Sequence, residues 1–160
     1  MKTSHVLAAF SVILLLSLGC STTDCLESGP SIFDYLQDTS KTFSQPPVEL
    51  VDEDGRGTGL FYIIDAPGDT VTPNAADTVT FSYDGMTTNA EPFTSVGDST
   101  QTLALSNLIE AWQLALPLIG QGGEIKLFVP ANLAYGANQA GDICPNSDLI
   151  FDIDLIRVTN

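Results

Sequence analysis

Histidine is nearly missing from this chain, and cations are scarce. The 160 residues hold one histidine, His5, and five Lys and Arg against 20 Asp and Glu, for a net charge of −15. His5 lies in the N-terminal apolar leader, so everything after it lacks an imidazole. That excludes a Ser-His-Asp hydrolase, whose general base is an imidazole. It also removes the commonest zinc ligand, and the cysteines, Cys20, Cys25 and Cys144, have no paired metal-site spacing. No metal or cofactor is expected. The carboxylates are scattered rather than clustered, which gives no support to a paired-carboxylate glycosidase. Beyond residue 20 the cations are Lys41, Arg56, Lys126 and Arg157. So few argue against nucleic acid, and against electrostatic docking on anionic lipid. The apolar run Val6–Leu18 has 13 residues, short of the roughly 20 that span a bilayer as a helix. There is no internal repeat and no low-complexity segment.

The leader has the anatomy of a secretory signal. Lys2 and His5 make a weakly basic start, the apolar run follows, and Leu18-Gly19-Cys20 closes it. A cysteine directly after a small residue resembles the lipobox of bacterial lipoproteins, although Ser17 stands where that pattern usually has leucine. The resemblance implies that residues 1–19 are removed and that Cys20 carries the lipid, the one membrane attachment expected. Ser21 after it, by the same resemblance, points to the outer membrane of a Gram-negative bacterium. With Cys20 lipidated, Cys25 and Cys144 remain, and an exported compartment permits them to pair as a disulfide or leaves both free. Residues 20–56 then form the lipidated N-terminus and a tether, rich in Ser, Thr and Asp and interrupted by Pro30, Pro46 and Pro47. The folded domain is expected over 57–160.

Within that domain the stretch from Asn107 to Gly136 is the organising element. Leu108, Ile109, Trp112, Ala115 and Leu116 recur on one face of a 3.6-residue period, which predicts a short amphipathic helix. Asn107 is placed to cap it, with Glu110 three residues on as in a capping box. Pro117 limits the helix, and Gly120, Gly122 and Gly123 make the turn after it. Five strands are expected around it: 59–64, 78–83, 101–105, 124–129 and 149–158. Val79, Phe81 and Tyr83 share one face of the second; Ile125, Leu127 and Val129 share one face of the fourth; Leu149, Phe151, Ile153 and Leu155 share one face of the last. The economical architecture is α+β, a curved antiparallel five-stranded sheet wrapped around one short α-helix.

Four segments, GLFYIIDAPGDTVTPNAADTVTFSYDG, LALSNLIEAW, LPLIGQGGEIKLFVPANLAYG and ICPNSDLIFDIDLIRV, occur in the order and near the spacing of one family. From Gly59 onward the chain resembles the FKBP-type peptidyl-prolyl cis-trans isomerases, most closely the macrophage-infectivity-potentiator branch. The resemblance implies prolyl isomerase activity in an apolar pocket. Trp112 would be its floor and Tyr83, Phe93, Leu108, Ile109 and Phe151 its walls. Tyr135 would offer a hydroxyl at the rim, and the Ile109 N–H would hold a substrate carbonyl. Thr94 and Ile143 would touch substrate from the flanking loops, while Phe81, Leu127 and Ile153 are plain core. The chain departs from the family pattern at Thr94, usually aspartate, and at Ala111, Leu103 and Cys144, with a shortened 94–100 loop. The implied partners are proline-containing polypeptides and macrolides of the rapamycin type, with a monomer expected and a folding role in the periplasm. Two rival classes stay open: a binding module that recognises proline segments without turnover, and a structural lipoprotein domain.

Overall fold

The computed structural model describes residues 25, 26, 28–95 and 99–159, with the backbone alone at Thr94 and Ser95. Among these described residues seven strands and two α-helices run in the order α1 (Ile32–Gln37), β1 (Val48–Val51), β2 (Gly57–Ala66), β3 (Thr78–Thr87), β4 (Pro92–Ser95), β5 (Gln101–Ala104), α2 (Glu110–Ala115), β6 (Gly123–Val129) and β7 (Leu149–Thr159). The strands form one antiparallel sheet in the order β1-β2-β6-β7-β3-β4, with β5 beside β4 on the same edge of β3. The α+β class expected from the sequence is the observed one, with two more strands than the five expected.

The two unforeseen strands are both short edge strands. β1 follows Pro46-Pro47 and has four residues, too few for alternation to register. β4 opens on Pro92, which an edge strand tolerates because it has no second neighbour to donate to.

Period-two alternation builds the main core. Val79 and Phe81 of β3, Ile125, Leu127 and Val129 of β6, and Leu149, Phe151, Ile153 and Leu155 of β7 are all buried on one face. There they meet Ala111, Trp112, Ala115 and Leu116. A helix of six residues is marginal alone, so this sheet face is what holds it. The helix starts later than its sequence suggests. Residues Leu105–Asn107 form a 3-10 turn, Leu108 is extended, and Ile109 is the N-cap without a side-chain hydrogen bond. Asn107 therefore does not cap, because the intervening turn carries it away from the helix axis.

Much of the segment read as a tether is folded onto the outer face of the sheet. Ser31 caps α1 by accepting the Asp34 N–H at 3.2 Å. Ile32 is buried with Ile63, Phe128 and Ile150 in a second, smaller cluster that also takes Tyr35, Leu36 and Phe43. Cys25 and Cys144 are joined by a disulfide, which fastens the start of this strap to the loop before β7.

Candidate functional site

Trp112 lies on the first turn of α2, and three rings stand edge-on to it. Phe81 and Tyr83 from β3 have centroids 5.0 and 5.1 Å away, at 76° and 88° to the indole. Phe151 from β7 is 5.4 Å away at 90°. Antiparallel pairing of β3 and β7 sets these positions: Phe81 faces Leu155 and Tyr83 faces Ile153, which puts Phe151 one step along the same face. Edge-to-face pairs of this kind contribute about 0.5–1.5 kcal/mol each beyond burial. The indole N–H is buried with no partner among the described residues, so packing rather than a side-chain hydrogen bond holds the indole.

Above this floor is a cavity of about 240 Å³. Six of the sequence-derived residues line it together: Tyr83, Leu108, Ile109, Trp112, Tyr135 and Phe151. Phe93 is not part of the lining; it packs edge-on to Phe151 at 5.7 Å. Ile143 is buried in the main core, also outside the lining. Thr94 pairs through its backbone with Gly85, and its side chain lies outside the described residues. Cys20 lies outside them too.

The remaining lining was not foreseen as such. Phe81, read as plain core, is core and cavity wall at once. Gln101 and Leu103 supply the β5 wall, and Asn107, read as a cap, lies at the mouth. The spacing of Gln101 and Leu103 carried a signal, since residues two apart on a strand share a face.

No carboxylate, ammonium or guanidinium is among the lining residues, and among the described residues no cluster of His, Cys, Asp or Glu could hold a metal. Besides the Tyr83 hydroxyl, the Trp112 indole N–H and the Gln101 and Asn107 amides, the lining offers two further polar donors. The Ile109 N–H has no acceptor among the described residues, being at the N-cap where no helical bond is available. The Tyr135 hydroxyl sits at the rim on a side chain 37% exposed. Burial first, and the neighbouring Tyr83 second, raise the Tyr135 phenol above its ordinary pKa, so it stays a donor. The site can grip a compact apolar ring and donate hydrogen bonds to carbonyls. It has no side chain suited to nucleophilic attack or proton abstraction at neutral pH.

The family described as FKBP-type peptidyl-prolyl cis-trans isomerase matches residues 69–156, more than half of the chain. FkpA, an FKBP-type peptidyl-prolyl cis-trans isomerase of Buchnera aphidicola, is 42% identical over 108 residues, covering 64% of this chain and 42% of that protein. FkpA of Escherichia coli K12 is 36% identical over 103 residues, covering 63% and 38%. The chain thus spans less than half the length of these relatives. The crystal structure of E. coli FkpA superposes with a TM-score of 0.66 at 28% identity, over 80% of this chain and 57% of that one. A peptidyl-prolyl cis-trans isomerase from Pseudomonas syringae pv. tomato superposes at 0.65 and 28% identity, over 81% and 91%.

Proposed function

Since the chain belongs to the FKBP-type peptidyl-prolyl cis-trans isomerase family, we propose that its cavity isomerises X–Pro bonds in exported polypeptides. The observation that carries this is the boxed indole: Trp112 under an apolar cavity, with an unpaired backbone N–H at Ile109 and a phenol at the rim. Amide resonance sets the barrier to rotation at about 18–20 kcal/mol. At the twisted midpoint that resonance is lost and the carbonyl is less polar than in the planar amide. A dry aromatic box prefers the twisted form, and binding that strengthens towards it is catalysis. In this reading Trp112 receives the proline ring, and Tyr83, Phe151, Leu108 and Ile109 confine it. The Ile109 N–H and the Tyr135 hydroxyl hold carbonyls on either side of the bond. Phe93 steadies Phe151. No proton leaves or arrives.

The measurement is acceleration of a proline-limited refolding reaction. The parent protein should accelerate it, and Trp112→Leu should lower kcat/KM at least about tenfold, because a lost wall releases the ring from its aligned pose. An inactive parent, or a variant as fast as the parent, removes the enzymatic reading.

A second reading follows from the β5 wall. Gln101 and a 40% exposed Leu103 form it, so that wall contributes no aromatic ring. On this reading the domain binds proline segments with weak turnover, and peptide binding without isomerisation selects it.

Export is part of the proposal. The Cys25–Cys144 disulfide suits an oxidising compartment, and the leader with Cys20 suits periplasmic delivery and a lipid anchor in the outer membrane. Mass analysis of the N-terminal peptide checks this: acylated Cys20 is the expected result, and an unmodified Cys20 refutes the anchor.

A further inference from the structure

Asp148 is half-buried at the entrance to β7, three residues before Phe151, where three segments converge. Its Oδ1 accepts the Ala131 N–H at 2.8 Å, and its Oδ2 accepts the Ile32 N–H at 2.8 Å. Ala131 begins the 3-10 turn that leads to Tyr135. The Ala131 carbonyl accepts N–H groups from Ala134 at 3.0 Å and Gly136 at 2.8 Å, the residues on either side of Tyr135. The Gly136 carbonyl in turn accepts the Asn146 N–H at 2.7 Å, which closes this turn onto the segment leading to Asp148. Ile32 opens α1, and the strap before it is bound to the same loop by Cys25–Cys144 and by the Leu26 N–H on the Asp142 carbonyl.

We propose that Asp148 is a positioning residue for Tyr135, and that its carboxylate couples the docked N-terminal strap to the placement of that phenol at the pocket rim. The proposal rests on the reading of Tyr135 as a substrate-contacting group. An ionised carboxylate is acceptor-only with two equivalent oxygens, so it serves two N–H donors at once. Asparagine has one acceptor oxygen, and its amide would turn donors toward one of those N–H groups. Hydrogen bonds to a charged acceptor are the stronger ones. One side chain therefore anchors both the turn that carries Tyr135 and the first residue of α1. A strap that lifts would leave Oδ2 without its donor and loosen the hold on Ala131.

The test is a double-mutant cycle on the full chain. Steady-state isomerisation of a proline peptide is compared for the parent, Asp148→Asn, Tyr135→Phe and the double variant. Asp148→Asn should lower kcat/KM about tenfold through misplacement. In the Tyr135→Phe background the same change should cost no more than about twofold, because the group it positions is gone. A tenfold loss in both backgrounds, or activity within twofold of the parent for Asp148→Asn, overturns the positioning role. Amide hydrogen exchange decides the coupling without reference to turnover. Ile32→Pro removes the N–H at a helix position where proline is tolerated, and Ile32→Val keeps it while trimming the side chain. Exchange at Gly136 should rise several-fold in Ile32→Pro and stay at the parent value in Ile32→Val. Equal Gly136 protection in the two variants overturns the coupling. An inactive parent refutes the proposed function, and the exchange result stands apart from it.

Discussion

Replacing Cys25 and Cys144 by serine removes a link between residues 119 apart in sequence. In the chain-entropy description a loop of that length restricts the unfolded state by about 2.1 + 1.5R ln n cal/mol/K, or about 4.9 kcal/mol at 25 °C. The folded side changes little, because the strap is also held by the Ile32 N–H on Asp148 and by burial of Ile32 against Ile63, Phe128 and Ile150. Most of the effect should therefore appear as lost global stability, on the order of 3–5 kcal/mol. Against a typical total of about 5–15 kcal/mol that is a large share, and for a domain of this size it corresponds to a fall in Tm of roughly 10–15 °C. Guanidinium unfolding followed by the fluorescence of Trp112, the one tryptophan in the chain, measures it. The slope should also steepen, as the uncrosslinked chain exposes more surface on unfolding. A loss below about 1 kcal/mol with an unchanged slope would refute the reasoning, since the crosslink would then not be constraining the unfolded ensemble. The same comparison in the isomerisation assay should show altered turnover, because Cys144 follows Ile143 in the loop between the Tyr135 turn and β7. Equal rates with and without reductant would count against any reach of the crosslink into the pocket.

Other outcomes follow from single contacts. Tyr135 is held protonated by burial and by Tyr83, so turnover should be level from about pH 6 to 9. A raised phenol pKa contributes stability that is complete below the ordinary value near 10 and is lost as pH rises through the elevated one. A Tyr135-dependent loss of stability below pH 9 would contradict the burial. Phe128→Ala should cost about 3–5 kcal/mol, because the ring is 1% exposed with Phe43 edge-on at 5.5 Å; a thermal melt within two degrees of the parent would mean that the outer cluster is not packed. Gly120→Ala would bring its methyl carbon to 1.8 Å from the Asp69 carbonyl oxygen, so the 67–69 and 119–121 turns must separate, at about 1–3 kcal/mol or more. Unchanged denaturation would show that those turns do not cross so closely.

The faces of the long strands were legible because alternation is a local property. Ile125, Leu127 and Val129, like Leu149, Phe151, Ile153 and Leu155, bury where a period of two puts them. The opposite faces were not legible in the same way. Phe128 and Ile150 look like stray apolar residues on a solvent side until α1 is laid over them, and nothing local to β6 or β7 announces a helix more than 90 residues earlier in the chain. The helix start was misplaced for a related reason. Asn107 and Glu110 match a capping pattern in spacing, yet the 3-10 turn at Leu105–Asn107 uses that stretch first. Among cavity residues, Tyr83, Leu108, Ile109, Trp112, Tyr135 and Phe151 stood out by type and place, while Phe81 read as core and Leu103 as a departure from the family pattern. Gln101 shares a strand face with Leu103, but a polar side chain on a short strand does not show that this face borders a cavity. Asp148 was silent for the same reason, as its partners are backbone amides at Ile32 and Ala131.

The strand order has a consequence for how such a chain is made. Among the described residues β7 follows every other strand in sequence, yet it lies between β6 and β3 at the middle of the sheet. While a ribosome or an export channel is still feeding the chain forward, β3 lacks its longest partner, β6 lacks one neighbour, and Trp112 lacks the Phe151 wall. Cys25 emerges early and has to wait for Cys144, whose segment precedes β7. The sheet can then close only after β7 is released, so the domain stays open and threadable until that point. A domain assembled from its centre last is suited to crossing a membrane unfolded and folding on the far side.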